Sequence, residues 1–148
     1  MTLREKDAQE LAALAKDKNV LLMEAMWSRF TPAFIKAKEW VNIGKIGRIK
    51  LIHASFCFNF PFDPSHRLFN PALAGGSLYD AGVYPIEFTT GILGENPKQV
   101  SGFASFCETG VDDYAAFTMS FESGTLASLS CGITAVTNRD VHIYGTDG

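Results

Sequence analysis

The fold is decided by the stretch RIKLIHASFCFNF, which occupies residues 48–60. Its side chains alternate with the period of two that is typical of a β-strand. One face would carry Ile52, Ala54, Phe56, Phe58 and Phe60, and the other would carry Ile49, Leu51 and Cys57. Both faces are rather apolar towards residue 60, so we expect helices to cover one face of the sheet and a partner to meet the other.

Two helices are predicted before this strand. Residues 3–18 carry apolar side chains at the helical period and charged ones on the other faces. Thr31 and Pro32 supply a hydroxyl cap and a first-turn proline for a second helix, which is expected to run to Asn42. Between the helices, residues 20–23 (VLLM) form a short apolar run of the kind that is buried on both faces of a parallel sheet.

The remaining segments are predicted to be turns, a loop, a helix and further strands. Residues 44–47 (GKIG) indicate a turn, because they lack the glycine spacing and the strand–helix context of a phosphate-binding loop. The proline-containing residues 61–74 indicate a loop that is long enough to be functional. A helix is expected over residues 84–93, ended by the sequence GENP. A β meander follows, with strands over residues 99–108, 112–121, 125–133 and 139–144 and a tight hairpin turn at 122–124.

Composition limits the classes of function. The chain has 148 residues, enough for one domain with a real core, and its 47% hydrophobic and 20% charged residues are ordinary for a globular protein. A net charge of -3 gives no basic footprint, so nucleic acid is not expected as a partner. No apolar run is long enough to span a bilayer and the first residues are charged, so we expect no membrane partner and a cytoplasmic location.

The cysteines and histidines do not form a recognisable framework. Cys57, Cys107 and Cys131 are odd in number, widely separated and surrounded by apolar neighbours, so buried free thiols are expected. The three histidines show no metal-ligand spacing. No metal site is predicted.

Candidate proton-transfer chemistry is concentrated in the run GGSLYDAGVYP, residues 75–85. Asp80 and Tyr84 lie four residues apart and would share one face if this segment turns helically. A phenol titrates near pH ~10 in water, so a tyrosine acts as an acid or base at neutral pH only where its surroundings help it. An alternative interpretation is that Asp80 merely caps the following helix, with Pro85 in its first turn.

Taken together, these features resemble the Gfo/Idh/MocA family of oxidoreductases (glucose–fructose oxidoreductase and inositol dehydrogenase), nearest to its dihydrodiol dehydrogenase-like branch. The resemblance covers almost the whole chain. It is carried by LMEAMWSRFTP (residues 22–32), GKIG (44–47), GGSLYDAGVYP (75–85) and IYGTDG (143–148).

The resemblance implies a two-domain enzyme in which an NAD(P)-binding Rossmann domain precedes an α+β domain. The second domain would have an open, mostly antiparallel sheet with helices on one face, which binds substrate and often forms the dimer interface. Tyr84 matches the general acid/base, and Asp80 matches the carboxylate that orients hydroxyl groups. Among the remaining matches, Trp27 and Arg29 would contact the cofactor, and Glu24 and Arg67 would contact the substrate.

The departures from the family are equally informative. The chain has no G-x-G-x-x-G motif after a strand, and the Glu-Lys-Pro motif that should lie just before Met1 is missing. The resemblance therefore implies a fragment: residues 1–26 would be the final helix and strand of a Rossmann domain, and residues 27–148 a substrate-binding and oligomerisation domain that is truncated at its C-terminus. NAD or NADP is expected in an intact family member, and none is expected to bind this chain alone.

Three hypotheses follow, so the sequence leaves open whether the chain by itself is an enzyme. It is the substrate and oligomerisation part of an NAD(P)-dependent oxidoreductase that acts on a sugar, polyol or dihydrodiol; or a non-catalytic module that binds such a small molecule; or a purely structural dimerisation module. In each case bare strand edges predict a homo-oligomer built on the open sheet.

Overall fold

The computed structural model describes residues 1–148, which form three α-helices and one five-stranded sheet. The helices are α1 (Glu5–Asp17), α2 (Pro32–Asn42) and α3 (Val83–Leu93). The strands are β1 (Ile49–Cys57), β2 (Gln99–Phe106), β3 (Asp112–Ser120), β4 (Leu126–Gly132) and β5 (Val141–Gly145). Shorter turns are the 3₁₀ segments Trp27–Phe30 and Pro71–Leu73 and the π-helical segment Leu78–Gly82.

The sheet is open and mostly antiparallel, as predicted, with the strand order β2-β3-β4-β1-β5. Only β1 and β4 run parallel, with Ile52 opposite Ala127. The meander prediction is right for β2 to β4 and wrong for β5, which pairs with β1 and not with β4. Strand β1 lies between β4 and β5, so the chain must cross β1 after β4 before β5 can pair with it.

Helices α2 and α3 cover one face of the sheet. Phe34 of α2 and Ile92 of α3 pack with Ile52 and Leu129 in the largest buried apolar cluster. Burial of each such side chain stabilises the fold by about 1.5–3 kcal/mol, so this layer holds α3 on the sheet. Lys38 of α2 adds hydrogen bonds of 2.7 and 2.6 Å to two carbonyl oxygens at the C-terminal end of α3. Burial lowers the pKa of Lys38, and the charge of Arg29 lowers it further.

Both helix boundaries next to the candidate site follow sequence signals. Thr31 Oγ1 accepts a hydrogen bond from the backbone N–H of Phe34 at 3.3 Å, so the predicted cap of α2 is confirmed. Helix α3 ends at Gly94, whose φ of 72° lies in the left-handed region that glycine tolerates.

The predicted strand at residues 20–23 is wrong. The helix before it forms as α1, but no residue of α1 is buried. Residues 20–23 are in no strand and Leu21 is 89% exposed. A doubly buried strand needs parallel neighbours on both sides, and none of the five strands lies beside this run.

None of the helices has the length and apolar character that crossing a bilayer requires.

Candidate functional site

The run at residues 75–85 folds into a tight bend followed by a widened helical turn. Asp112, the first residue of β3, accepts hydrogen bonds from Ser77 Oγ and from the backbone N–H of Leu78, each at 2.7 Å. Gly76 has a φ of 125°, and a Cβ there would overlap the Asp112 carboxylate. The carboxylate that caps this segment is therefore Asp112, so the alternative in which Asp80 is the cap is wrong.

The turn that carries Asp80 is π-helical. It spans Leu78–Gly82 and leads directly into α3, which carries Tyr84. Such single π turns break the regular bond pattern of a helix and occur frequently at functional sites.

Asp80 lies in a cavity of about 520 Å³ and forms an ion pair with Arg67. The cavity is also lined by Gly75, by Tyr79 and by the first residues of the chain. Tyr79 donates a hydrogen bond of 3.3 Å to the carbonyl oxygen of Leu3. Because Asp80 is shielded and Arg67 is exposed, the pair presents a fixed carboxylate and a solvent-facing guanidinium to the same cavity.

Tyr84 lies at a second, smaller cavity of about 220 Å³. Its hydroxyl oxygen accepts a hydrogen bond of 3.4 Å from the indole Nε1 of Trp27, and its ring lies 4.8 Å from that of Phe56. Phe34 and Phe88 complete an aromatic wall. The phenol is therefore half-buried between aromatic rings, with its oxygen held by one donor.

Glu87 holds the segment that carries Trp27. It is 8% exposed and lies three residues after Tyr84 on α3. Its carboxylate forms an ion pair with Arg29 and accepts a hydrogen bond of 2.8 Å from Ser28 Oγ. A buried carboxylate requires such partners, and here they tie the 3₁₀ turn Trp27–Phe30 to the helix that carries Tyr84.

Glu24 lines neither of these two cavities and lies instead at a third one, beside Arg29. Its carboxylate lies 2.7 Å from the N-terminal ammonium of Met1. The hydrogen bond from that ammonium is the main cause that lowers the pKa of Glu24.

The structure thus divides the predicted site residues among several places. Asp80 and Arg67 meet in the larger cavity, and Tyr84 and Trp27 meet at the smaller one. Arg29 forms an ion pair with Glu87. No hydrogen bond joins Asp80 to Tyr84.

Sequence reasoning missed Glu87, Asp112 and Arg139. A glutamate inside the apolar helix sequence VYPIEFTTGIL was the available signal for Glu87, since an isolated carboxylate in such a helix needs a partner. No motif pointed to Arg139, which lines the cavity beside Tyr84. No local pattern pointed to Asp112, whose role depends on a contact between residues that are 35 positions apart.

All three cysteines are free, and Cys57 and Cys131 are buried, as predicted, whereas the prediction is wrong for Cys107, which is only half-buried. Burial raises the pKa of Cys131 to about 11. The structure contains no group of three potential metal ligands.

The open sheet, the helices on one of its faces and the tyrosine beside a cavity define an α+β domain with a candidate small-molecule site. The family model described as the GFO/IDH/MocA C-terminal domain matches residues 34–148. The chain belongs to the GFO/IDH/MocA family, as its motifs predicted.

Named relatives agree with this assignment. The chain is 34% identical to the trans-1,2-dihydrobenzene-1,2-diol dehydrogenase of Mus musculus, over 96% of this chain and 42% of the relative. It is 36% identical to the enzyme of the same name from Xenopus tropicalis, over 95% of this chain and 42% of the relative. The chain therefore spans less than half the length of these relatives.

Solved structures show the same fold. An aldose-aldose oxidoreductase from Caulobacter crescentus, complexed with glycerol, superposes with a TM-score of 0.87 at 27% identity, over 95% of this chain and 43% of that one. An NAD binding oxidoreductase from Klebsiella pneumoniae gives a TM-score of 0.85 at 25% identity, over 97% of this chain and 43% of that one.

Proposed function

We propose that this chain is the substrate-binding and oligomerisation part of an NAD(P)-dependent oxidoreductase that acts on a hydroxyl or carbonyl group of a sugar, polyol or dihydrodiol. The observation that carries the proposal is the Tyr84 hydroxyl, half-buried at a cavity wall and 3.4 Å from Trp27 Nε1. A proton donor that is fixed in place and partly shielded from water is what a hydroxyl–carbonyl interconversion needs from the protein.

The size and lining of the smaller cavity favour a ring-shaped substrate. An apolar cavity of about 150 Å³ accommodates benzene. The cavity beside Tyr84 has about 220 Å³ and an aromatic wall, which leaves room for one six-membered ring with small substituents. Among the three substrate classes, this supports a cyclic dihydrodiol, the compound in the names of the mouse and frog relatives.

The residues would divide the chemistry as follows. During oxidation of an alcohol, Tyr84 accepts the hydroxyl proton, and in reduction it returns that proton to the carbonyl oxygen. Asp80, held by Arg67 in the larger cavity, would orient a second hydroxyl of the substrate. The nicotinamide cofactor, when bound to an intact family member, supplies the hydride chemistry.

The described residues do not form a binding site for a dinucleotide cofactor. The sheet has a single parallel pair, β1 and β4, and no glycine-rich turn leads from a strand into a helix there. We therefore propose that residues 1–26 belong to a cofactor-binding domain and residues 27–148 to the substrate domain. Trp27, whose indole is 60% exposed beside Tyr84, would form a wall against the nicotinamide.

The test is a chimera in which this chain follows the cofactor-binding half of the mouse relative. We expect NAD(P)-dependent oxidation of trans-1,2-dihydrobenzene-1,2-diol by the chimera and no turnover by the isolated chain. A folded chimera that binds NAD or NADP and oxidises no dihydrodiol, sugar or polyol would contradict the proposal. Saturable polyol binding without any turnover would support the non-catalytic binding module instead.

A further inference from the structure

Arg139 adopts a backbone conformation that its side chain does not favour. Its φ is 55°, in the left-handed region where glycine and asparagine are the usual residues. It lies at the end of the crossing from β4 to β5, and the backbone N–H of Ser55 fixes the next residue through a bond of 3.1 Å to the Asp140 carbonyl oxygen. Unfavourable backbone conformations that persist at fixed positions cluster at ligand-binding sites.

Arg139 lines the cavity beside Tyr84. The lining includes only two charged side chains, Arg139 and Asp140. The Asp140 carboxylate has a partner, since His142 Nε2 lies 3.1 Å from Asp140 Oδ2. The carboxylate of Glu87 also has partners, since it forms an ion pair with Arg29 and accepts a hydrogen bond from Ser28.

Arg139 makes no hydrogen bond and no ion pair. The guanidinium ions of Arg4, Arg29 and Arg67 all have carboxylate partners. The Arg139 guanidinium beside the aromatic cavity therefore has no protein partner, and its planar fork of donors matches the two oxygens of a carboxylate.

We propose that Arg139 is a specificity-determining residue that binds a carboxylate substituent of a ring-shaped substrate while the ring occupies the aromatic cavity. This inference rests on the proposed function, because it takes the cavity beside Tyr84 to be the substrate site. Among the ring-shaped substrates of the proposed function, it favours those that also carry a carboxylate.

The test compares two probes of equal ring size, cyclohexanecarboxylate and cyclohexylmethanol, on the 148-residue chain. Binding is followed by Trp27 fluorescence in a Trp40→Phe background, so that a single indole reports on the cavity. We expect cyclohexanecarboxylate to bind at least about tenfold tighter, which corresponds to about 1.4 kcal/mol. Arg139→Gln should abolish this preference, whereas Arg48→Gln, which changes another exposed arginine with no ion pair, should leave it intact.

Arg139→Gly separates binding from folding. Glycine relieves the left-handed strain, so the melting temperature should stay the same or rise while the carboxylate preference is lost. A preference that survives Arg139→Gln or Arg139→Gly, or that falls equally in Arg48→Gln, would overturn the inference.

The remaining outcomes distinguish this inference from the proposed function. If both probes bind with equal affinity, the cavity is a ring site and the role of Arg139 is refuted. If neither probe binds, the inference about Arg139 is refuted, whereas the proposed function is decided by turnover of the chimera.

Discussion

The side chain of Glu87 links two parts of the candidate site at the scale of single residues. Glu87→Ala should lower the free energy of unfolding by about 1–3 kcal/mol, because Ser28 and Arg29 lose their acceptor. Since Arg29 is half-exposed, water offsets part of the loss. Urea unfolding measures this change, and the Trp27 emission should move to longer wavelength as the indole leaves Tyr84.

Glu87→Gln is the matched control. It keeps an acceptor for Ser28 and removes only the charge, so its effect should be clearly smaller than that of Glu87→Ala. Equal stability of all three proteins would show that the contact does not hold the Trp27 segment.

Cys131 makes stability depend on pH in the alkaline range. Its pKa is raised to about 11 in the fold by burial, so the unfolded thiol, with a reference value of 9.0, loses its proton first. The unfolded state then binds fewer protons, and stability must fall as pH rises from 9 to 11. By pH 11 the loss is about 2 kcal/mol.

Urea unfolding at several pH values should show a shallower decline between pH 9 and 11 in Cys131→Ala than in the parent. Cys107→Ala, which changes a half-buried thiol, should keep the parental slope. If the free energy of unfolding declined with pH equally in the parent and in Cys131→Ala, the raised pKa of Cys131 would be contradicted.

Local spacing in the sequence singled out Asp80 and Tyr84 as candidates, and the family resemblance added Trp27 and Arg67. Neither the spacing nor the resemblance could reveal that Asp80 and Tyr84 line different cavities, since that depends on a π turn whose bond pattern leaves no sequence signature. The ion pair of Glu87 with Arg29 and the position of Arg139 beside Tyr84 exist only in three dimensions.

Among the elements, the bend before α3 depends on its two glycines, of which Gly76 also has a positive φ. Gly76→Ala would combine an unfavourable φ with overlap on Asp112, so it should lower the free energy of unfolding by more than about 2 kcal/mol. Gly44→Ala is the control, because Gly44 also has a positive φ, 70°, but has no neighbouring atom within 4 Å of a Cβ. We expect about 1 kcal/mol there, and equal losses in the two variants would refute the packing argument.

Helices α1 to α3 and the hairpins were predictable because caps, terminators and periodicity are local signals. The prediction of a strand at residues 20–23 is wrong because strand formation is not a local property: an apolar run becomes a strand only when neighbouring strands pair with it. The position of β5 was also not predictable locally, because its pairing with β1 is set by the interior place of that strand.

For the whole molecule, the sheet leaves an edge and a face without partners. Every residue of β2 is exposed and Phe103 is 90% exposed. Such an edge favours pairing with another chain, so we expect a dimer or larger assembly. Sedimentation at micromolar concentration should show it, and Phe103→Lys should shift the equilibrium towards monomer.

A strictly monomeric profile of the parent would refute the proposed oligomer. Lys50→Ala, which changes an exposed residue of the interior strand β1, serves as the control and should not alter the profile.

The most direct test of the central claim, that Tyr84 transfers the proton, is kcat of Tyr84→Phe in the chimera with the mouse cofactor-binding half. The substitution removes only the hydroxyl and keeps the ring between Trp27 and Phe56. We predict that kcat falls by about 10²–10⁴-fold with little change in KM, whereas Tyr144→Phe remains fully active. A Tyr84→Phe chimera that keeps its full kcat would contradict the account.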